Sequence, residues 1–109
     1  SFMYIDDCLS GMGRLMESSY TDPLNLGRAE LVSINGLLDI IEGIAGITLK
    51  RNYDLSKPQG VRGRNSDNAL IQSTLGWEPE VDLATGLEKT YRWIEEQYER
   101  RKRGEIVVD

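Results

Sequence analysis

Residues 60–68 are the strongest candidate for chemistry in the sequence, because two arginines lie two positions apart there and small polar side chains follow them. Arg62 and Arg64 each present a planar guanidinium that can bind phosphate oxygens through two hydrogen bonds. Gly63 between them lets the backbone turn closely. The polar residues that follow predict a helix N-terminus, whose free N–H groups favour anions. The pattern is consistent with a phosphate or diphosphate site.

The same stretch also has a simpler interpretation. Asp67 lies where its carboxylate can accept hydrogen bonds from the N–H groups at the predicted helix start, which leaves fewer of them for a ligand. Composition alone therefore favours a solvated loop, or structural salt bridges from Arg62 and Arg64, over phosphate binding.

Four residues near the start of the chain are weaker candidates. Cys8 would lie near a helix N-terminus, which favours a thiolate, but it shares the apolar side of that helix and the sequence has no histidine to activate it. We expect a buried, inert thiol. The side chains of Asp6 and Asp7 diverge on a helix, and we expect one of them to cap it. Tyr4 lacks a lysine four residues later and is predicted to pack in the core.

Aromatic and basic residues towards the end of the chain could stack on a base or contact nucleic acid. The spacing of Trp77, Tyr91 and Trp93 is more typical of packing between the last two helices. The basic run at residues 100–103 follows several glutamates and is expected at a solvated helix end. A net charge of -5, from 13 basic and 18 acidic residues, argues against nucleic acid as a partner.

Composition also excludes several kinds of site. The sequence has no histidine and one cysteine, which excludes a Ser-His-Asp triad, histidine ligation and a multi-cysteine zinc site within this chain. We expect no metal. A single cysteine fits a reducing compartment, so we expect a cytoplasmic location. No apolar run approaches the ~20 residues of a membrane span, and we expect neither membrane association nor a signal peptide.

The 109 residues, 39% hydrophobic and 28% charged, suffice for one domain of ordinary globular composition. Local patterns predict three short strands, at residues 2–5, 24–26 and 47–53. Four helices are predicted as well, from residue 6 or 7 to about 18, from 33 to 46, from 66 or 67 to 76, and from 82 onwards. The expected fold class is therefore α/β, rich in helix and with short strands.

Apolar side chains at helical spacing predict the buried faces of the first and last helices. These residues are Ile5, Leu9, Met12, Leu15 and Met16 in the first helix, and Leu83, Leu87, Tyr91, Ile94 and Tyr98 in the last. No Gly-x-Gly-x-x-Gly turn follows a predicted strand, so a dinucleotide would have its main cradle elsewhere. The chain begins at Ser1 and runs directly into an apolar stretch, so we expect a piece of a longer protein.

Several groups of residues resemble the extended short-chain dehydrogenase/reductases that act on nucleotide sugars. The C-terminal signature of that family is similar to residues 75–79 and to the series Leu83, Gly86, Leu87, Thr90 and Trp93. Residues 1–8 resemble the strand-to-helix entry of the family's C-terminal half, and residues 23–27 resemble its Pro-x-Asn-x-Gly strand. Residues 60–68 are similar to a stretch of the GDP-mannose 3,5-epimerase family.

The resemblance implies that residues 1–109 form a single C-terminal substrate-binding domain, and that an NAD-binding Rossmann half lies outside this chain. The implied reaction of the whole enzyme is oxidation of the sugar at C4 by NAD, epimerisation at neighbouring carbons and reduction of the ketone. Its catalytic residues lie upstream, so this chain holds none and is expected to be inactive alone. Arg64 matches an arginine that binds the substrate diphosphate, and Arg62 is a second candidate. The implied substrate is a nucleotide sugar resembling GDP-mannose, and the implied parent is a homodimer.

Two other interpretations stay open. Another enzyme of the same superfamily, such as a 4-epimerase, a 4,6-dehydratase or a GDP-fucose synthase-like enzyme, would share these motifs and differ in its upstream catalytic residues. A non-catalytic module would instead use Arg62 and Arg64 to bind another anion or an acidic partner.

Overall fold

The computed structural model describes residues 1–107, in which four helices are joined by turns and extended segments. The helices are α1 (Ile5–Glu17), α2 (Ile34–Ala45), α3 (Ala69–Leu75) and α4 (Leu83–Lys102). The expected predominance of helix is confirmed, and each predicted helix forms close to its expected bounds. No helix in this part of the chain is long and apolar enough to cross a membrane.

The three short strands predicted from the sequence are not strands within residues 1–107. A strand needs a neighbour whose N–H and C=O groups pair with its own, and short isolated runs are not stable without one. Residues 47–53 illustrate the alternative, because side chains of α2 hold them. The Glu42 carboxylate accepts a hydrogen bond from the Leu49 N–H at 3.4 Å, and Arg51 forms ion pairs with Asp39 and Glu42.

Local capping residues set most helix ends as expected. The Ser33 hydroxyl accepts from the Gly36 N–H at 2.9 Å at the start of α2, and the Asp82 carboxylate accepts from the Thr85 N–H at 2.7 Å at the start of α4. Gly46 and Gly76 end α2 and α3 with φ of 69° and 59°, the left-handed conformation that glycine adopts without a Cβ penalty.

Neither Asp6 nor Asp7 is the N-cap residue of α1, contrary to the prediction, and Asp7 instead makes a contact between two helices. The helix begins at Ile5 with Tyr4 as its N-cap residue, so Asp6 and Asp7 lie inside its first turn. Asp7 is only 6% exposed. Its carboxylate accepts hydrogen bonds from the backbone N–H groups of Glu80 (3.2 Å) and Val81 (2.9 Å), immediately before α4. Asp7 therefore joins the first helix to the entry of the last.

The core is small and lies beside this contact. Its hydrophobic members below 10% exposure are Ile71, Trp77 and Leu83. The Trp77 indole N–H donates to the Ser10 hydroxyl at 3.2 Å. A Cβ at Gly11 would lie 3.0 Å from the Trp77 ring, so glycine allows α1 to approach the indole closely. Trp77 is buried, as expected for a packing role, and these contacts place it against α1.

The apolar stripe predicted as the buried face of α1 is largely exposed. Its residues Ile5, Leu9, Met12 and Met16 are 48–83% exposed, while the opposite side buries Asp7 and Gly11. The periodicity predicted the helix correctly, but it predicted the wrong buried face. The face of α1 that packs against Trp77 is formed by small and polar residues. The second half of α4 shows the same difference, since Ile94 and Tyr98 are both more than half exposed.

Replacement of Asp7 by alanine should destabilise the protein strongly. Loss of the carboxylate leaves the N–H groups of Glu80 and Val81 without their acceptor, at a total of ~2–4 kcal/mol in the free energy of unfolding. Urea unfolding of purified variants measures this change. Asp6→Ala is the matched control, because Asp6 is exposed and surface changes of this kind stay within about 0.5 kcal/mol. Equal effects of the two substitutions would contradict the role given to Asp7.

The Asp82 cap should contribute a pH-dependent term to stability. Hydrogen bonds from Thr85 lower the pKa of the Asp82 carboxyl below its ordinary value of 3.8. Because this pKa is lower in the folded state, the stabilisation is fully present above pH 3.8 and is lost as pH falls through the folded value. The stability difference between the wild type and Asp82→Asn should therefore change below pH 3.8, as measured by thermal unfolding across pH. No change in that difference below pH 3.8 would contradict the role given to the Asp82 carboxylate.

Candidate functional site

Arg62 and Arg64 lie on an exposed loop ahead of α3, and their guanidinium groups make no ion pair or hydrogen bond with residues 1–107. Arg51 provides the contrast. It is held by Asp39 and Glu42, and its hydrogen bond to Asp39 is the main cause that raises the pKa of the Arg51 guanidinium. Structural salt bridges from Arg62 and Arg64, one of the two alternatives that composition favoured, are not formed in this part of the chain. The other alternative, a solvated loop, agrees with the exposure of both side chains. Two cations remain available to an anionic ligand.

A set of hydrogen bonds fixes the backbone that follows Arg64. The Ser66 N–H donates to the Arg28 carbonyl at 2.9 Å. The Asn65 side-chain amide donates to the Ala29 carbonyl at 2.7 Å, and the Asn68 amide donates to the Gly27 carbonyl at 2.8 Å. We call these contacts between residues 65–68 and residues 27–29 the loop clamp. The clamp holds the base of the arginine loop while the two guanidinium groups remain exposed.

Two further contacts complete the surroundings of Arg64. The terminal ammonium of Ser1 donates to the Arg64 carbonyl at 2.6 Å, so residue 1 lies beside the loop. The Ser66 hydroxyl donates to the Asn68 side-chain oxygen at 2.7 Å, which orients the Asn68 amide towards Gly27. Residue 1 and residues 27–29, which are far from Arg64 in the sequence, thus lie near it in the fold.

Asp67 behaves as the sequence predicted. Its carboxylate accepts from the Ala69 N–H at 3.0 Å at the start of α3, although Asn68 is the N-cap residue. A carboxylate at this place competes with any phosphate for the helix N–H groups. The donors of the loop that remain without a partner within residues 1–107 are therefore its arginine side chains.

The other candidates from the start of the chain take structural positions. Cys8 is half-buried rather than buried, and its Sγ lies 3.9 Å from the Met12 Sδ. Tyr4 packs against α4, where a Cβ on Gly86 would lie 3.1 Å from the Tyr4 Cβ, and the Lys89 ammonium lies 5.5 Å from the ring centroid. Asp6 and Asp7 are separated in role, since Asp7 alone contacts residues 80–81. These residues form no shared site.

The late aromatic and basic residues do not converge either. Trp77 is buried while Trp93 is half exposed, so they present no common stacking surface. In the basic run, the Arg100 and Arg103 guanidinium groups both bind the Glu105 carboxylate, at 3.1 Å and 2.8 Å. The Lys102 ammonium lies 4.5 Å from the Tyr98 ring centroid. In these contacts, the basic side chains of residues 100, 102 and 103 bind partners at the end of α4 and just after it.

Among the residues that the structure describes, no arrangement of side chains or glycines would hold a metal ion or a dinucleotide. No group of three or more carboxylate or thiol ligands comes together in residues 1–107. The glycines with positive φ are Gly46, Gly76 and Gly104, which all follow helix ends rather than open a helix after a strand. This chain's own residues therefore do not fit NAD.

Sequence reasoning missed the members of the clamp, Asn65, Asn68 and Gly27. The amide side chains of Asn65 and Asn68 were a usable signal, because each carries N–H donors that need acceptors, although only Asn68 is half-buried. Their acceptors are 36 and 41 residues away in the chain, so the sequence could not indicate which carbonyls they would reach.

Comparison with known proteins adds a second line of evidence. No protein-family model matches the chain. GDP-mannose 3,5-epimerase 1 of Oryza sativa subsp. japonica is 45% identical over 102 residues, which cover 94% of this chain and 27% of that protein. GDP-mannose 3,5-epimerase of Arabidopsis thaliana is 43% identical over the same shares. The chain is a homologue of one segment of the GDP-mannose 3,5-epimerases.

This homology confirms the resemblance inferred from residues 60–68 and from the motifs around Trp77. A more distant relative is a probable GDP-L-fucose synthase 1 of Oryza sativa subsp. japonica, 33% identical over 96 residues, or 87% of this chain and 29% of that protein. The chain spans about a quarter of the length of the curated epimerases it matches, 27% in each case.

Enlargement of Gly27 should disturb the loop clamp. A Cβ at Gly27 would lie 2.9 Å from the Ser66 Cβ, which is too close for two carbon atoms, so the two segments must separate. Gly27→Ala should increase amide hydrogen exchange at Ser66, whose N–H is bonded across the clamp. Gly13→Ala is the control, since a Cβ there meets nothing within 4 Å. Unchanged exchange at Ser66 in Gly27→Ala would contradict the clamp.

Proposed function

We propose that this chain is the C-terminal, substrate-binding segment of a longer NAD-dependent nucleotide-sugar epimerase, of α/β fold as a whole, with a substrate resembling GDP-mannose. The observation that carries the proposal is the pair of unpaired arginines on a clamped loop, in a chain 45% identical to GDP-mannose 3,5-epimerase 1 of rice. In this proposal Arg64 binds the diphosphate of the substrate, and Arg62 assists it.

The chemistry of the two arginines suits a diphosphate. Each guanidinium donates several N–H groups in a fixed plane and can bind two phosphate oxygens at once. Arg62 and Arg64 are separated by one glycine, so both can reach a ligand that carries two adjacent phosphates. The ligand's negative charge replaces the carboxylates that neutralise other arginines of this chain, such as Arg51.

The role of this segment is to bind and orient substrate rather than to move protons on the sugar. Its exposed loop offers arginines, which stay protonated and do not exchange protons at neutral pH. We infer that acid–base residues and the NAD site belong to other segments of the enzyme. The 109-residue chain alone is then inactive, whether it binds ligand or not.

The similarity to GDP-L-fucose synthases supports a second candidate function of the same kind. Such an enzyme would share the diphosphate-binding loop and differ in product. Incubation of the full-length enzyme with GDP-mannose, followed by chromatographic analysis of the sugar, separates the two. Epimerised GDP-hexoses support the proposal, and the absence of any epimerised product from GDP-mannose supports the alternative.

The proposal includes a homodimeric enzyme located in the cytoplasm. The dimer follows from the resemblance to the nucleotide-sugar enzymes, and light scattering of the full-length protein tests it. The cytoplasmic location is supported by the single cysteine, Cys8, which is a free thiol. Imaging of a tagged protein tests the location.

Arg64→Ala should weaken nucleotide-sugar binding by about 10- to 150-fold, because one charge-assisted hydrogen-bonding group contributes ~1.5–3 kcal/mol. Calorimetric titration of the full-length enzyme with GDP-mannose measures the dissociation constant. Arg14→Ala is a matched control, since Arg14 is also exposed and unpaired within residues 1–107 but lies on α1, away from the loop. An unchanged dissociation constant for Arg64→Ala would remove the basis of the proposed function.

A further inference from the structure

We propose that Arg28 is a positioning residue for the arginine loop, because its side chain ties the backbone that carries the loop clamp to the entry of α4. The inference rests on the proposed function, since it concerns how Arg64 is held for the same ligand. Arg28 lies in the middle of residues 27–29, whose three carbonyls accept hydrogen bonds from residues 65, 66 and 68. The placement of this short segment therefore sets the placement of the loop.

Residues 27–29 belong to no helix, so contacts with other parts of the chain must hold them. The Arg28 guanidinium supplies such a contact, because it donates to the Val81 carbonyl at 2.6 Å across 53 residues of sequence. Val81 is itself held, since its N–H donates to the buried Asp7 carboxylate at 2.9 Å. The other partner of the guanidinium is weaker, because the Glu30 carboxylate lies 3.7 Å away and is 54% exposed. The bond to Val81 therefore relates residues 27–29 to the helices.

The burial of Arg28 has a cost that its contribution to stability does not explain. Its side chain is only 19% exposed, and its Nε–H group is buried without a hydrogen-bond acceptor among residues 1–107. A buried donor without an acceptor destabilises the folded state, and an apolar side chain of similar volume would fill the space without this penalty. Local departures of this kind are expected where a residue serves function. Orientation of the loop accounts for a cationic donor at this place.

Support of the loop matters for the ligand, because a guanidinium binds two phosphate oxygens only within a narrow range of orientations. The Arg64 side chain is exposed, so its direction depends on the backbone that carries it. Two residues later that backbone reaches Ser66, whose N–H donates to the Arg28 carbonyl at 2.9 Å. Loss of the Arg28 side chain lets residues 27–29 shift, and Arg64 then meets a diphosphate from a wider range of positions. Affinity falls although Arg64 itself is still present.

A double-mutant cycle on the full-length enzyme tests this role, with calorimetric titration of GDP-mannose as the readout. Arg28→Met fills the space of the aliphatic stem and removes the hydrogen-bond donors. We expect it to raise the dissociation constant about tenfold, because part of the contribution of Arg64 is lost. If Arg28 acts through Arg64, the same substitution has little effect in a chain that already carries Arg64→Ala. A residue that only stabilises the fold would lower the unfolding temperature and leave the dissociation constants unchanged.

Three further variants complete the experiment, and circular dichroism verifies that each is folded. Arg28→Lys keeps a cationic donor for the Val81 carbonyl and should recover most of the affinity. Arg92→Met is the matched control, because Arg92 pairs with Glu88 and Glu95 on the surface of α4 and its loss should leave GDP-mannose binding unchanged. Arg28→Gln, which keeps a shorter and uncharged donor, replaces Arg28→Met in the cycle if the latter does not fold.

The outcomes separate this inference from the proposed function. If Arg64→Ala weakens binding while Arg28→Met leaves it unchanged, the positioning role is overturned and the diphosphate site stands. If Arg28→Met weakens binding equally with and without Arg64, Arg28 acts independently of the loop and the role is also overturned. The same conclusion follows if neither Arg28→Met nor Arg28→Gln folds, because Arg28 is then a general structural residue. If Arg64→Ala has no effect, the proposed function falls and this inference falls with it.

Discussion

The carboxylate of Asp7 is the contact on which the rest of the structure depends. It accepts the N–H groups of Glu80 and Val81, and the carbonyl of Val81 in turn accepts from the Arg28 guanidinium at 2.6 Å. The backbone carbonyl of Arg28 then accepts from Ser66, two residues after Arg64. A single series of hydrogen bonds therefore runs from the first helix, through the entry of the last helix, to the base of the arginine loop. In a protein with so small an apolar core, such buried polar contacts have a large share in fixing the arrangement of the helices.

Helix ends were the most predictable part of the fold, and the reason is that capping is local. Ser33 and Asp82 meet N–H groups three residues ahead of them, and Gly46 and Gly76 supply a backbone conformation on their own. The strands were not predictable in this way, because a strand exists only when a neighbour pairs with it. Asp7 illustrates the same limit. An acidic residue at the start of a helix can cap that helix or accept hydrogen bonds from a distant segment. For Asp7, only the position of residues 80–81 in the fold decides between these two roles.

The candidate site likewise has a part that local sequence predicts and a part that depends on long-range contacts. Arg62 and Arg64 were visible in the sequence as candidates, since their residue type and spacing suit phosphate, although composition alone favoured a solvated loop or structural salt bridges. The clamp was not visible, because Asn65 and Asn68 bond to carbonyls far away in the chain. The prediction that the apolar stripe of α1 is buried was wrong for a related reason. Its periodicity shows that a helix has an apolar face, but the choice of the covered face depends on Trp77 and on the small residue Gly11.

The loop clamp has a consequence for how the protein folds. Its contacts close loops of 36 and 41 residues, and the contact between Ser1 and Arg64 closes one of 63. Contacts of such range form late, because the entropy of closing long loops must be overcome before they contribute. A ligand that binds across these segments recognises only the folded chain, so it shifts the folding equilibrium by mass action. At concentrations well above its dissociation constant, a ligand bound at the arginine loop would therefore protect the chain against unfolding.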